Sequence, residues 1–310
     1  MSQKQVYVAL QQFCQDDDGP RIALERAGCE VRVNTLGRRP TPTEIISEAR
    51  EADAIIAGVE PYDSGTLQAL PRLRCISRCG VGTDAIDLQA ADRLGIKVAN
   101  TAQEVIEPVA QITIAMVFAL ARGFPQYVTS AREGRWQRYP GFLLSEWTIG
   151  LIGFGRIGRA VEEYLRPFHP RVIVTDPNVR FSDVPESIEL LDLKSLLARA
   201  DVVSIHATRA ASEGVLLGAE EFAGMKRGSR LINTSRGYLV DEGALYEALK
   251  TGHLGGAALD VFQNEPYSGP LQSLPQVMCT PHVSSLTGAS RRAMELRAAM
   301  NVIDFLGEGG

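Results

Sequence analysis

Short apolar runs alternate with amphipathic stretches along nearly the whole chain, and this alternation limits the folds that the sequence can adopt. Over the first hundred residues the apolar runs are typical of buried strands, and stretches such as 21–27 and 42–50 are typical of helices. A rhythm of strand and helix predicts a parallel sheet covered by helices. The predicted strands of this first series are 6–10, 30–33, 54–58, 75–79 and 97–100.

A long apolar segment at 107–122 interrupts the rhythm and ends at the helix breakers Gly123 and Pro125. We predict that it forms a buried helix linking two domains. The segment 287–306 has helical periodicity and is predicted to return to the first domain, which would make that domain discontinuous. A second series of predicted strands lies between these helices, at 148–152, 172–175, 202–206, 230–233, 257–260 and 277–280. Six parallel strands in this order complete a dinucleotide-binding domain, so we expect domains at 1–99 with 285–310 and at 100–284.

Composition and charge narrow the classes of protein that fit. The chain has 310 residues, of which 45% are hydrophobic and 22% charged, as in ordinary globular proteins. Its formal net charge of −5 is spread along the sequence, which argues against a nucleic acid as partner. The N-terminus has no apolar signal core, and no apolar stretch reaches the roughly 18 residues of a membrane span. We therefore expect a cytoplasmic protein without a membrane partner.

The five cysteines are odd in number and scattered, which favours a reducing compartment over a disulfide framework. Cys75 and Cys79 form a CxxxC pair, but no second pair of cysteines or histidines completes a metal site around it. We predict that the chain binds no metal.

A glycine-rich turn follows the first strand of the second series. Gly153, Gly155 and Gly158 have GxGxxG spacing, which permits a tight turn, close approach of a pyrophosphate and close packing of helix on strand. Asp176 follows the next strand, where a carboxylate accepts hydrogen bonds from the ribose hydroxyls and repels a 2′-phosphate, so NAD is favoured over NADP. Asp176 and Pro177 could also simply begin a turn. Because GxGxxG occurs in FAD proteins and methyltransferases as well, the reaction has to be inferred from other residues.

Polar side chains follow three later strands, at Arg236, at Asp260 and Glu265, and at His282. With these residues the chain resembles the D-isomer-specific 2-hydroxyacid dehydrogenase family, and the resemblance runs over nearly the whole sequence. It implies an α/β fold of two doubly wound parallel-sheet domains, with a Rossmann dinucleotide-binding domain inserted in a flavodoxin-like substrate domain. It also implies an NAD-dependent oxidoreductase acting on 2-hydroxy acids.

Reduction of a 2-keto acid requires a cation near the carboxylate and carbonyl, a proton donor and a positioned hydride. Arg236 suits the first task because its guanidinium is always charged, and His282 suits the second because the unperturbed pKa of an imidazole lies near neutral pH. Glu265 would hydrogen-bond the other ring nitrogen of His282 and orient it. Taken singly, the three could be a surface arginine, a turn glutamate and a loop histidine.

The family resemblance implies further cofactor contacts. Asp260 would bind the nicotinamide carboxamide, and His206 would lie near the adenosine. The full predicted cofactor set is Gly153, Gly155, Arg156, Ile157, Gly158, Asp176, His206, Ala207, Thr208, Thr234, Ser235 and Asp260.

On the substrate side, Gly80, Val81 and Gly82 follow a predicted strand, so their backbone N–H groups could form an anion-binding nest. In the family this loop binds the substrate carboxylate, although glycines would serve a plain strand-to-helix turn equally well. Arg78 and Arg138 resemble positions where phosphoglycerate dehydrogenases carry cations near the substrate phosphate; solvated surface arginines are the alternative.

The resemblance is strongest to phosphoglycerate dehydrogenase-like members without a C-terminal regulatory domain. Glyoxylate or hydroxypyruvate reduction is a close alternative, and a non-catalytic NAD(H)-sensing protein of the same fold is another. Ala85, Ala102 and Gln111 depart from the family's common pattern and leave the substrate open. The long apolar helix, with Trp136 and Trp147 after it, suggests a homodimer interface, unless these residues are buried within one chain.

Overall fold

A computed structural model describes residues 3–138, 140–208 and 213–307. Within it the chain divides into two units: unit 1 is Met1–Val105 with Ser285–Gly310, and unit 2 is Ile106–Ser284. The first boundary follows residue 105, whereas the sequence suggested residue 99. The segment after residue 99 stays with unit 1 because the Thr101 N–H donates to Gly80 O at 3.0 Å, and the Ser290 hydroxyl donates to Glu104 O at 3.0 Å.

Unit 1 contains a parallel sheet with the strand order β2-β1-β3-β4-β5, which is the order of flavodoxin-like domains. Its strands are β1 (Lys4–Val8), β2 (Cys29–Val33), β3 (Ala54–Ala57), β4 (Cys75–Arg78) and β5 (Lys97–Asn100). All five lie within a residue or two of the predicted runs. The central strand β3 consists of Ala and Ile and is buried at every position, because helices cover both faces of a parallel sheet.

The helices of unit 1 are α1 (Gly19–Arg26), α2 (Pro42–Ala49), α3 (Ser64–Gln68), α4 (Leu88–Arg93) and α11 (Gly288–Gly307). Helix α2 begins at a capping box in which the Thr41 hydroxyl accepts from the Glu44 N–H and the Glu44 carboxylate accepts from the Thr41 N–H. Helix α11 packs against α1, β3, β4 and β5. Its buried Asn301 amide donates to the Ser77 hydroxyl at 3.2 Å. The last helix therefore belongs to the sheet formed by the first hundred residues.

Unit 2 contains a second parallel sheet, ordered β12-β11-β10-β9-β6-β7-β8. Its strands are β6 (Thr148–Ile152), β7 (Arg171–Thr175), β8 (Glu189–Leu190), β9 (Val202–Ile205), β10 (Arg230–Asn233), β11 (Gly256–Leu259) and β12 (Val277–Cys279). The order reverses between β6 and β9, as in a Rossmann domain. Two doubly wound sheets confirm the predicted fold class. Strand β8 was not predicted, because two residues carry no readable periodicity.

The helices of unit 2 are α5 (Ile106–Ala121), α6 (Phe124–Arg132), α7 (Arg156–Leu165), α8 (Leu193–Arg199), α9 (Ala219–Gly224) and α10 (Glu242–Lys250). The predicted apolar helix is α5, which packs against α7, β10 and β11 and buries half of its residues. Within the described ranges, no single helix is long and apolar enough to cross a membrane. Only α5 and α6 together reach that length and hydropathy, and they are bent by 66°.

The two tryptophans differ in their surroundings. Trp147 is buried in unit 2, and the Arg230 guanidinium lies 4.8 Å from the centroid of its ring. Burial lowers the pKa of Arg230. Of the two alternatives for Trp147, a dimer interface or burial within one chain, the structure shows burial within one chain. Trp136 is 90% exposed.

Candidate active site

Six segments with predicted site residues follow the carboxyl ends of strands in unit 2. Because parallel strands all end at the same edge of a sheet, these segments share that edge. They begin at Gly153 after β6, Asp176 after β7, His206 after β9, Thr234 after β10, Asp260 after β11 and Thr280 after β12.

The glycine turn after β6 has the shape that a dinucleotide requires. Gly153 has φ 95°, and a Cβ there would lie 2.6 Å from Ala207 N. A Cβ on Gly158 would overlap the carbonyl oxygen of Gly153. At Gly155 nothing lies within 4 Å of the position a Cβ would take, so the backbone is open to a ligand. The turn therefore fits a pyrophosphate.

Helix α7 supplies donors for that pyrophosphate. Its first helical hydrogen bond runs from the Arg159 N–H to Gly155 O at 3.0 Å, and its N-cap provides no side-chain acceptor. The N–H groups of Arg156, Ile157 and Gly158 therefore have no partner inside the helix. At a helix N-terminus such groups, with the positive end of the helix dipole, attract an anion.

Asp176 ties the end of β7 to this turn. Its Oδ2 accepts from the Phe154 N–H and its Oδ1 from the Asn178 N–H, both at 2.8 Å. The hydrogen bond with the Asn178 N–H forms the turn that Asp176 and Pro177 could simply begin. The hydrogen bond with the Phe154 N–H fixes the glycine turn. Since each carboxylate oxygen accepts two hydrogen bonds, both oxygens retain capacity for ribose hydroxyls.

Two side-chain contacts hold the segment after β9, one at His206 and one at Ala207. The ring Nε2 of His206 lies 2.9 Å from the Ser204 hydroxyl, and burial lowers the pKa of His206 to about 4. Ala207 O accepts from the Ser235 hydroxyl at 2.6 Å, which joins this segment to the one after β10. Thr208 is exposed. The Thr234 hydroxyl lies inside the unit, 3.3 Å from the hydroxyl of Thr113 on α5, so only its backbone faces the edge.

Arg236 lies in a loop that a buried amide shapes. The Asn233 side chain donates to Arg236 O at 2.8 Å and accepts from the Ser235 N–H at 3.0 Å. A Cβ on the next residue, Gly237, would overlap the carbonyl carbon of Phe262. Only glycine permits this approach, which brings the Arg236 loop against the segment that leads to Glu265.

Glu265 and His282 are in direct contact. The carboxylate Oε2 lies 2.8 Å from the ring Nδ1, and Oε1 accepts from the Phe262 N–H at 3.1 Å. Because a carboxylate only accepts, Nδ1 of His282 carries the proton in this contact. Both side chains are partly exposed, so the opposite ring nitrogen can reach a ligand.

Asp260 positions the loop that carries His282. It is completely buried, and its Oδ1 accepts from the Thr280 hydroxyl at 2.6 Å and the Val283 N–H at 2.8 Å. Its Oδ2 accepts from the N–H of Ser284 at 2.8 Å and from the Ser284 hydroxyl. Its backbone oxygen accepts from the His282 N–H at 2.9 Å. These contacts hold His282 at φ 54°, a left-handed conformation that non-glycine residues rarely adopt.

The family resemblance implies that Asp260 binds the nicotinamide carboxamide, but in this structure the protein itself encloses the Asp260 carboxylate. Four donors already fill its carboxylate, and no part of the residue is exposed. A contact with the carboxamide through these oxygens would require the loop 280–284 to open.

The predicted substrate residues lie in both units. Arg78, Gly80, Val81 and Gly82 belong to unit 1, where Arg78 is hydrogen-bonded to the loop that follows it. Arg138 belongs to unit 2 and is exposed in the segment after α6.

Sequence reasoning did not identify Asn233, Gly237, Thr280 and Ser284 as parts of the site. The available signal was a polar residue at or directly after the end of a strand, as at Asn233 and Thr280, where a buried polar group needs a partner. Gly237 and Ser284 carried no such signal.

Residues 114–284 match the family model described as D-isomer specific 2-hydroxyacid dehydrogenase, NAD binding domain. A D-3-phosphoglycerate dehydrogenase from Archaeoglobus fulgidus is 36% identical over 91% of this chain and 53% of its own length. A glyoxylate reductase from Korarchaeum cryptofilum is 35% identical over 86% of this chain and 83% of its own length. The chain thus spans about half the length of the curated phosphoglycerate dehydrogenases that it matches.

Solved structures agree over both units. A protein from Thermus thermophilus has a TM-score of 0.89 and 34% identity, covering 98% of this chain and 97% of that one. A D-lactate dehydrogenase from Aquifex aeolicus, complexed with NAD and lactic acid, has a TM-score of 0.85 and 26% identity, covering 98% and 96%. The chain belongs to the D-isomer specific 2-hydroxyacid dehydrogenase family. The predicted family, enzyme class and cofactor NAD are confirmed.

We expect the Asp260→Asn variant to lose about 1–3 kcal/mol in its free energy of unfolding, because the new NH₂ group would face donors. Urea denaturation measures the change. The control Thr280→Val removes only one donor and should lose less. A free energy of unfolding equal to that of the wild type in Asp260→Asn would contradict the role assigned to this carboxylate.

The lowered pKa of His206 predicts a pH dependence of stability. Between its ordinary value of 6.5 and about 4, the unfolded imidazole takes up a proton that the folded one refuses, so the free energy of unfolding falls as the pH falls through this range. The His206→Gln variant lacks this imidazole, so its free energy of unfolding lacks this part of the pH dependence. Urea denaturation at pH 7 and pH 5 should show a smaller loss in the variant than in the wild type, and equal losses would refute the assignment.

Proposed function

We propose that the chain interconverts a 2-keto acid and a D-2-hydroxy acid with NAD(H), and that Arg236, Glu265 and His282 are its catalytic residues. The observation that carries this proposal is the 2.8 Å contact between Glu265 Oε2 and His282 Nδ1. This pair lies at the same sheet edge as a glycine turn that fits a pyrophosphate. Proton transfer and cofactor binding therefore belong to one edge of unit 2.

His282 acts as the acid in reduction and as the base in oxidation. NADH, when bound, supplies the hydride to the carbonyl carbon. The ring Nε2 of His282 gives its proton to the carbonyl oxygen, so that the C=O bond becomes CH–OH. Glu265 accepts the hydrogen bond from Nδ1 and orients the ring, so that Nε2 is the nitrogen left for the substrate.

Arg236 binds the substrate's negative charge. A guanidinium presents two parallel N–H groups to a carboxylate or to the oxygen where charge develops. The Asn233 amide holds the backbone of the Arg236 loop by donating to Arg236 O and accepting from the Ser235 N–H. A preorganised cation at this point stabilises the developing alkoxide.

The substrate class is a small 2-keto acid. The relatives carry the names D-3-phosphoglycerate dehydrogenase and glyoxylate reductase, and the sequence resembled the former most. Because both names occur among relatives of similar identity, 3-phosphohydroxypyruvate, glyoxylate and hydroxypyruvate are tested side by side. The role of unit 1 as the substrate domain is part of this proposal.

The test follows NADH absorbance with glyoxylate, hydroxypyruvate, 3-phosphohydroxypyruvate, pyruvate and 2-oxoglutarate. We expect turnover with at least one acid, and a loss of about 10²- to 10⁴-fold in kcat for His282→Ala. Arg236→Ala should also lose activity, mainly in kcat/KM. The matched control is His169→Asn, because His169 is exposed and asparagine tolerates its φ of 53°.

Two results would contradict the proposal. Full activity in His282→Ala would remove the assigned acid. Tight NADH binding by the wild type without turnover of any of these acids would favour an NAD(H)-sensing protein of the same fold.

We also propose that the chain forms a homodimer through the exposed apolar side chains of Phe124, Trp136 and Leu143, which are 53%, 90% and 65% exposed. All three lie in the segment after α5, where the sequence suggests the dimer interface. Light scattering should give twice the chain mass for the wild type and a lower mass for Trp136→Ser. A monomeric wild type would exclude this interface. The cytoplasmic location stays a prediction.

A further inference from the structure

Arg78, the last residue of β4, turns its side chain back over the loop that follows it. Its Nε donates to Gly82 O at 3.0 Å, and its Nη1 donates to Cys79 O. The guanidinium therefore joins the carbonyl groups at the two ends of the segment 79–82. A planar guanidinium, with fixed N–H directions on separate nitrogens, is well suited to bridge two carbonyls in this way.

Gly80 makes room for that guanidinium. It has φ 136°, and a Cβ there would lie 2.7 Å from Arg78 Cζ and 2.8 Å from Nη2. Any side chain at residue 80 would occupy the space in which the guanidinium lies. The glycine thus serves Arg78 as well as the turn.

Other side chains hold the rest of the loop. The Gly80 N–H donates to the hydroxyl of the buried Thr101 at 2.7 Å, and the Asn100 amide donates to Val81 O at 2.9 Å. The carbonyls of Cys79, Val81 and Gly82 are therefore all bonded to side chains of unit 1. Among the described residues, the N–H groups of Val81 and Gly82 have no such partner. Adjacent free N–H groups, with the carbonyls held elsewhere, suit an anion.

We propose that Arg78 is a positioning residue that shapes the Gly80–Gly82 loop for a substrate carboxylate, and that it does not bind a substrate phosphate. This inference rests on the proposed function. A guanidinium that bridges Cys79 O and Gly82 O and lies on Gly80 would have to release the loop to reach a phosphate. Its contribution is then common to every 2-keto acid, because all of them carry the same carboxylate.

The variant Arg78→Lys separates the two roles. Lysine keeps the charge but presents its donors on a single nitrogen, so it cannot donate from two separate positions as Nε and Nη1 of Arg78 do. We expect KM to rise by a common factor, on the order of tenfold, for glyoxylate and for 3-phosphohydroxypyruvate, with kcat changed far less. A rise confined to 3-phosphohydroxypyruvate would identify Arg78 as a phosphate ligand and overturn the proposal.

A second measurement does not depend on turnover. Hydrogen–deuterium exchange of the peptide covering 79–83, without substrate, should be faster in Arg78→Lys than in the wild type. The matched control is Arg93→Lys, which makes the same change at an exposed position of α4 in the same unit. Equal exchange in wild type and Arg78→Lys would overturn the proposal. Absence of turnover by the wild type would instead contradict the proposed function, leaving the exchange result to decide the role of Arg78.

Discussion

The carboxylate of Asp260 is buried and has no charged partner among the residues that the structure describes, and a buried carboxylate is tolerated only where hydrogen bonds replace its hydration. Here the loop 280–284 supplies all of these hydrogen bonds, through two hydroxyls and two N–H groups. The loop cannot move without leaving the carboxylate unsatisfied. His282 lies in the middle of this loop, and its own N–H is bonded to the same residue. The place of the imidazole is thus determined by a completely buried residue.

Glycine determines how the other segments approach. Gly153 and Gly158 let the turn after β6 contact its neighbours at distances that a Cβ would prevent, and Gly237 does the same for the Arg236 loop against Phe262. These close contacts at glycines act together with hydrogen bonds from buried polar side chains. Close backbone contacts bring the strand ends together, and buried polar side chains such as Asn233 and Asp260 determine their conformation. The flexible, charged ends of Arg236, Glu265 and His282 are then carried on a rigid frame.

Local sequence patterns predicted most of the fold. The strand runs, the buried helix α5 and the GxGxxG turn each follow from residues close together in the chain, where periodicity and turn chemistry act. The pairing of Glu265 with His282 followed from chemical roles. What the sequence did not reveal depends on contacts between distant residues. The enclosure of Asp260 by Thr280, the closeness of Gly237 to Phe262 and the burial of Trp147 leave no periodic signal. For Arg78 the family resemblance suggested a cation near a substrate phosphate. The sequence does not show that its side chain turns back onto Gly82.

The central claim is that unit 2 carries out hydride transfer to a keto acid, with His282 as the proton donor. The most direct measurement incubates the wild type with glyoxylate and NADH that carries deuterium on both hydrogens of nicotinamide C4, and examines the product by proton and deuterium NMR. We predict glycolate with one deuterium at C2, because the C4 deuterium leaves as a hydride while the proton from His282 goes to oxygen. Glycolate without deuterium at C2 would contradict direct hydride transfer. If no glycolate forms while another acid of the panel is reduced, the same measurement on that acid decides.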